Sequence, residues 1–236
     1  MNIRVNRYGQ PIGYTIAGWS TRPCPPRTEL AGRYCRLEPV NPQRHGGDLF
    51  GAYMEAPDDR DWTYLFDKRP EREEEFDSYL TKLASSDDRL HFTIIESDLQ
   101  EALGTAGLAG IEPEHGSIEV GGITFSPRLK RTAAGTESMY LLMQLAFDGL
   151  GYRRYEWKCD SLNAPSRAAA ERYGFTFEGL FTNAVVYKGR NRDTAWYSIT
   201  DQEWPRVRSA FEAWLDPANF DEHGYQRRRL QEFLAK

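Results

Sequence analysis

Asn163-Ala-Pro-Ser166-Arg-Ala-Ala-Ala-Glu-Arg-Tyr173-Gly174-Phe175, read with the earlier Pro127-Arg-Leu-Lys130-Arg131-Thr-Ala-Ala-Gly135-Thr136-Glu137, is the most informative part of this 236-residue chain. The later stretch reads as a short helix opened by Asn and stopped by Gly, with strand-like runs on both sides. The earlier one reads as a basic turn of small residues that opens a long amphipathic helix. A helix start leaves backbone N–H groups unpaired at the positive end of its dipole, which suits a phosphate. Ala133, Ala134 and Gly135 would allow close approach, and Arg128, Lys130 and Arg131 add positive charge with no acid between Ser126 and Thr136. A solvated basic turn capped by Thr132 is the alternative reading of the same residues. There is no Gly-Lys-Ser/Thr element, which argues against a phosphate-binding loop of the NTPase kind.

Working outward, residues 1–33 carry Pro11, Pro23, Pro25 and Pro26 without periodicity and read as an extended arm. Tyr34 to Glu38 is an expected strand, followed by a helix over Arg44–Ala56 and a polar loop, 57–64, with two aromatics, Trp62 and Tyr64. A second helix is expected to start at Pro70, with Phe76, Tyr79, Leu80 and Leu83 on its buried face. Strands follow over His91–Glu96, Ala102–Ile111 and Ser117–Phe125, then a helix over Ala133–Leu150 and a strand over Arg154–Cys159. After the Asn163–Tyr173 helix, strands are expected at Phe175–Glu178, Ala184–Lys188 and Thr194–Ile199. Two helical pieces, Glu203–Leu215 and Asp221–Ala235, close the chain as a C-terminal extension, 201–236. This is an α+β order with one domain, 34–200, and about seven strands in a mixed, mostly antiparallel sheet.

Composition excludes more than it selects. A net charge of −5 gives no basic footprint for nucleic acid. No apolar run approaches the ~20 residues that span a bilayer. Cys24, Cys35 and Cys159 are scattered and odd in number, as expected of reduced thiols in a cytoplasmic protein. His45, His91, His115 and His223 fall in no metal or triad spacing, so no metal is expected.

Together the two stretches resemble the GNAT N-acetyltransferase superfamily, specifically the branch of the ribosomal-protein-alanine N-acetyltransferases, over about Tyr34 to Trp204. That family carries Gln or Arg, two residues, Gly, one residue, then Gly or Ala at the first stretch. Anchored on Thr136-Glu137, Lys130 stands at the first mark, Ala133 at the second and Gly135 at the third, so two of three depart from the strict pattern. The resemblance implies acetyl-coenzyme A as co-substrate, its pyrophosphate on Lys130, Arg131, Thr132, Ala133, Ala134, Gly135 and Thr136. It also implies that Asn163, besides capping its helix, meets the amide-bearing arm, and that Ser166 lies near the sulfur.

The reaction so implied is direct attack of a primary amine on the thioester, the acceptor being a small molecule or a protein N-terminus. An α-amino group with pKa near 8 is about a tenth neutral at pH 7, so a proton acceptor matters. Glu119, on the strand face opposite Ile118 and Val120, is the candidate base; a surface glutamate is the competing reading. Ser166 is the candidate proton donor to the departing thiolate, because the tyrosine other relatives use is replaced here by Ala170. Backbone N–H groups of Ile123, Thr124 and Phe125 are candidate contacts for the thioester oxygen. Trp62 and Tyr64, beside Asp58, Asp59 and Asp61, are candidates to receive a cationic amine. Asp193 would either close that pocket or pair with Arg190 or Arg192. The extensions suit closing a pocket or forming a homodimer. A degenerate acyl-coenzyme A-binding sensor or interaction module is the alternative to an enzyme.

Overall fold

The computed structural model describes residues 4–235; the first three positions of the arm and Lys236 lie outside them. The chain runs β1 (Arg4–Val5), β2 (Pro11–Ile12), β3 (Leu30–Ala31), β4 (Cys35–Pro39), α1 (Pro42–Met54), α2 (Glu73–Ala84), β5 (Leu90–Glu96), β6 (Ala102–Glu112) and β7 (Ser117–Phe125). It continues through α3 (Ala133–Gln144), β8 (Arg154–Asp160), α4 (Ala164–Arg172), β9 (Thr176–Tyr187), β10 (Arg190–Thr200), α5 (Trp204–Leu215) and α6 (Leu230–Leu234). Strands β3 to β10 form one eight-stranded sheet in the order β3-β4-β5-β6-β7-β8-β10-β9. Every neighbouring pair is antiparallel except β7 and β8. Two of the expected strands fuse into β9, and the strand that was not expected is β3, a two-residue edge contributed by the arm.

Two cores follow from strand alternation. Leu37, Ile94, Leu108, Ile118, Val120 and Tyr155 pack with α3, α4 and α5. Val40, Ile95 and Ala102 pack with α1 and α2 through Leu49, Tyr53, Trp62, Phe76 and Leu80. Periodicity located α1 and α2 well. Asn41 accepts from the Arg44 amide at 3.0 Å and Pro42 fills the first turn, so α1 starts two residues before the expected Arg44. Helix α2 starts at Glu73, three residues after Pro70.

Four differences have local physical causes. The helix expected over Ala133–Leu150 is regular to Gln144 and then widens into a π turn, Leu145–Gly149. The strands expected at Phe175–Glu178 and Ala184–Lys188 are one strand, β9, because two bulges that take up extra residues of β9 let the long hairpin stay paired with β10 between them. Most of the helix expected over Asp221–Ala235 is loop. Asp221 caps its own turn by accepting from the amides of His223 and Tyr225, and only Leu230–Leu234 is helical. Finally, α5 is part of the main core. Trp204, Phe211 and Trp214 are buried, and rings of Phe147, Trp204, Tyr140, Phe211 and Tyr173 stack in succession.

Candidate active site

Strands β7 and β8 run parallel only from Ser117–Arg154 to Val120–Trp157 and then part. Beyond Val120, β7 stays with β6 but carries a bulge, the register jumping between Gly107↔Gly121 and Thr105↔Thr124. Gly122 sits in that bulge with φ +60, a conformation that favours glycine. Strand β8 instead follows β10 as far as Asp160↔Thr194. The backbone groups of this stretch that face β8, those of Ile123 and Phe125, are therefore unpaired within the sheet, whereas Thr124, opposite Thr105, turns its own to β6. The gap is a slot between two strands, with the starts of α3 and α4 at its mouth.

At the start of α3, Thr132 is the cap: its Oγ1 accepts from the Gly135 amide at 3.0 Å and donates to the Leu129 carbonyl at 2.7 Å. The Thr136 amide bonds back to the Thr132 carbonyl at 3.2 Å. Among the described residues, the amides of Arg131, Thr132, Ala133 and Ala134 have no protein acceptor. Four free donors at a dipole-positive end, next to small side chains, fit a pyrophosphate. Gly135 and Thr136 contribute by geometry instead of by donating. A Cβ on Gly135 would lie 2.7 Å from the Leu129 carbonyl, so glycine is needed to close the turn, and a larger residue there would disturb the fold before any ligand.

The cations divide into engaged and free. Lys130 pairs with Asp61 at 2.5 Å and Arg128 with Glu101 at 2.6 Å. Among the described residues Arg131 pairs with no carboxylate. Arg172, which sequence reading missed, donates to Thr136 Oγ1 at 3.2 Å and so stands beside the same helix start. Nothing in its sequence neighbourhood signalled this, since the two helices meet only through tertiary packing.

At the start of α4, Asn163 Oδ1 accepts from the Ser166 amide at 3.1 Å, the expected cap. Ser166 Oγ accepts a hydrogen bond from Trp157 Nε1 at 3.0 Å. Burial pushes the nearby Cys159 thiol up, and the Ser166 hydroxyl beside it pulls the other way.

The other face of the sheet carries Glu119. Ile118 and Val120 are buried beneath α3, as alternation required, and Glu119 points away from them, half-buried. Its carboxylate meets Lys158 Nζ at 3.0 Å, which also holds Glu156 at 2.8 Å and sits over the Trp196 ring at 3.9 Å. Burial alone would push the Lys158 ammonium down, but the two carboxylates outweigh it and hold it above its ordinary range. Beside them lies His91, buried against Gly107 and Gly122, its Nδ1 without a partner among the described residues. A groove of about 560 Å³ opens from Glu119 toward the arm, walled by Cys24, Pro25 and Arg27 on one side and Asp87–Leu90 on the other.

Trp62 is not an open entrance. It is 4 % exposed, edge-on to Tyr53 and Tyr79, inside the α1–α2 core. Hydropathy could not separate a ring lining a cleft from a ring filling a hairpin. Tyr64 is half-buried in the same loop, two of whose acids are engaged, Asp58 by Arg60 at 2.7 Å and Asp61 by Lys130, while Asp59 is exposed. The tip between β9 and β10 docks on this loop, Lys188 donating to the Trp62 carbonyl at 2.8 Å and Arg190 to the Thr63 carbonyl at 2.9 Å. Asp193 accepts from the Asn183 amide at 2.7 Å and from Asn191 at 2.9 Å, bracing the hairpin; those two donors hold its carboxyl below its ordinary range. Among the described residues no group of side chains has metal-ligand geometry, and no helix is long and apolar enough to cross a membrane.

Known proteins with this arrangement are acetyltransferases. The family described as "Acetyltransferase (GNAT) domain" matches residues 36–176. A GCN5-related N-acetyltransferase from Brucella melitensis is 47% identical with a TM-score of 0.92, covering 94% of this chain and 100% of that one. A probable acetyltransferase of the GNAT family from Chromobacterium violaceum is 40% identical with a TM-score of 0.76, covering 83% of this chain and 98% of its own. An acetyltransferase of Salmonella typhimurium that modifies the N-terminal serine of a ribosomal subunit protein shares the fold alone, at 20% identity and a TM-score of 0.59, over 73% of this chain and 98% of that one. An uncharacterized N-acetyltransferase, p20, from Bacillus licheniformis is 29% identical over 113 residues, 48% of this chain and 63% of that protein's length.

Proposed function

This chain belongs to the acetyltransferase (GNAT) family, and from that premise we propose that it transfers the acetyl group of acetyl-coenzyme A to a primary amine by direct attack. The observation that carries this reading is the slot where β7 and β8 part, with four free amides at the start of α3 on one side and Asn163–Ser166 on the other.

Each residue then has a physical task. The amides of Arg131 to Ala134 hold the pyrophosphate, with Arg131 and Arg172 adding charge. The unpaired edge of β7 accepts the slender arm as an added strand would pair, and its N–H groups at the bulge face the thioester oxygen. Glu119 takes the amine's proton, directly or through water; Lys158 keeps its charge from being isolated. As the amine nitrogen bonds to the carbonyl carbon, the C–S bond breaks and its electron pair goes to sulfur. The Ser166 O–H donates a hydrogen bond to that developing thiolate. The groove beside Glu119 is the approach for the acceptor, a protein N-terminus or a small amine. We propose a cytoplasmic location, where acetyl-coenzyme A is at hand.

Release of free thiol from acetyl-coenzyme A in the presence of a panel of amines tests the reading. Amine-dependent thiol release is expected, whereas tight cofactor binding with no turnover on any amine would make the chain a binding module. Ala133→Asp tests the cradle separately. A carboxylate in the first turn suits the helix dipole, by about 0.3–1 kcal/mol, yet opposes a pyrophosphate. The melting temperature should hold or rise while calorimetric affinity for coenzyme A falls at least tenfold. Unchanged affinity would remove these amides from the site.

A further inference from the structure

Trp157 is the last residue of β8 paired with β7, at the apex of the slot. Its ring is buried and clamped between Tyr173, with centroids 6.1 Å apart, and Phe175, at 5.6 Å. An indole in that position needs only to fill space, and a phenylalanine would do so. What a phenylalanine lacks is the Nε1–H that reaches Ser166 Oγ at 3.0 Å.

The direction of that bond is fixed by chemistry. Indole nitrogen donates and cannot accept, so Ser166 Oγ must be the acceptor. A serine hydroxyl has one proton and two lone pairs. With a lone pair held by Trp157, its own proton is turned away from Trp157 and is free to donate to another acceptor. Without the indole, the same hydroxyl is free to rotate.

We propose that Trp157 is a positioning residue, whose indole N–H sets the Ser166 hydroxyl as a donor toward the sulfur that leaves during acetyl transfer. This rests on the reading of Ser166 given above. Cys159 lies two residues along the same strand face, and burial favours its protonated thiol, a weak acceptor. A thiolate developing in the slot is the stronger acceptor and takes the hydrogen bond when it forms.

Trp157→Phe removes the donor and keeps an aromatic ring against Tyr173 and Phe175, with the loss of part of the indole's volume. The expected result is a fall in kcat of about tenfold, less than the 10²–10³ typical of deleting a transition-state donor outright, with KM for acetyl-coenzyme A unchanged. Ser166→Ala should slow turnover more, and Trp157→Phe added to Ser166→Ala should cost nothing further, since there is no hydroxyl left to orient. A second measurement separates orientation from loosened packing. With an acetyl thioester whose thiol has a lower pKa, the leaving group needs less help, so the Trp157→Phe penalty should shrink; a packing defect would slow both thioesters alike. If Ser166→Ala is slow but Trp157→Phe matches wild type, or if the two penalties multiply in the double variant, the positioning role is wrong. If Ser166→Ala itself matches wild type, the serine's role falls first. Should Trp157→Phe lower the melting temperature, the thioester comparison, made at a temperature where both proteins are folded, still decides.

Discussion

Glu137 gives the Thr136-Glu137 pair a physical meaning that its place in a helix does not. The carboxylate is buried and accepts the backbone N–H groups of Arg33 at 2.9 Å, Tyr34 at 2.6 Å and Cys35 at 2.8 Å, tying the start of β4 to α3. Glu137→Ala leaves one buried and two part-buried donors unpaired, at about 1–3 kcal/mol for the buried one and less for the others, so a loss of about 2–3 kcal/mol is expected by denaturant titration. Glu137→Gln, which keeps one acceptor, should recover part of it. His91 offers a second test. Burial is the main cause that pushes its pKa down to about 4, from an ordinary 6.5. The unfolded chain therefore takes up the proton first. This contribution is fully present above pH 6.5, falls as pH drops toward 4, and is then exhausted. At about 1.4 kcal/mol per unit the loss approaches about 3 kcal/mol. His91→Gln should flatten the stability profile over that window, and a parallel profile would show that the imidazole is not held neutral. Neither residue was readable as such in the sequence: a lone Glu in a helix and a lone His in a strand have no local partner to reveal them.

Elements were legible where a buried face met a capping residue. Asn41, Thr132 and Asn163 each accept from the amide three residues on, and the helices they open began within two residues of expectation. What spacing could not supply was anything set by pairing across the sheet. The continuity of β9 depends on its own bulges against β10, and the parting of β7 from β8 depends on which neighbour each strand keeps. The bulge at Gly122 belongs to the same class. A side chain there would need a left-handed backbone, and its Cβ would lie 3.0 Å from the His91 ring. Gly122→Ala should cost about 1–2 kcal/mol of strain and also lower kcat, because straightening the bulge re-aims the N–H groups of the slot. A kinetically silent Gly122→Ala would mean the bulge is structural only.

At the scale of the whole molecule, the reading proposed above divides the sheet into a cofactor side and an acceptor side. α3 and α4 flank the slot on one face, while α1, α2 and the β9–β10 tip cover the upper part of the other. That leaves Glu119 reachable along the groove beneath the arm, where Cys24, Pro25 and Arg27 face Asp87, Asp88 and Glu112. The arm is fixed there by specific bonds: Arg27 donates to the Ala84 carbonyl at 3.3 Å and the Ser86 carbonyl at 3.0 Å, and the Arg22 amide to the Pro113 carbonyl at 3.0 Å. A proline-rich stretch without periodicity gave no hint of this docking, since it is held by backbone groups and not by an apolar face. The groove carries four carboxylates, those of Asp87, Asp88, Glu112 and Glu119, against two guanidiniums, Arg27 and Arg89. This favours a cationic acceptor by long-range attraction, an effect that salt screens over about 8–10 Å. Arg27→Lys, which keeps the charge but cannot hold both the Ala84 and Ser86 carbonyls, should loosen the wall, and the doubly substituted Asp87→Asn, Asp88→Asn protein should weaken the field. Both should raise KM for a cationic amine several-fold while leaving coenzyme A affinity unchanged, because the pyrophosphate cradle lies across the sheet. Added salt should raise the wild-type KM and change that of the Asn variant less. Steady-state kinetics at two ionic strengths with a polyamine and an N-terminal peptide would check this, and a KM indifferent to all three changes would place the acceptor's path elsewhere on the molecule.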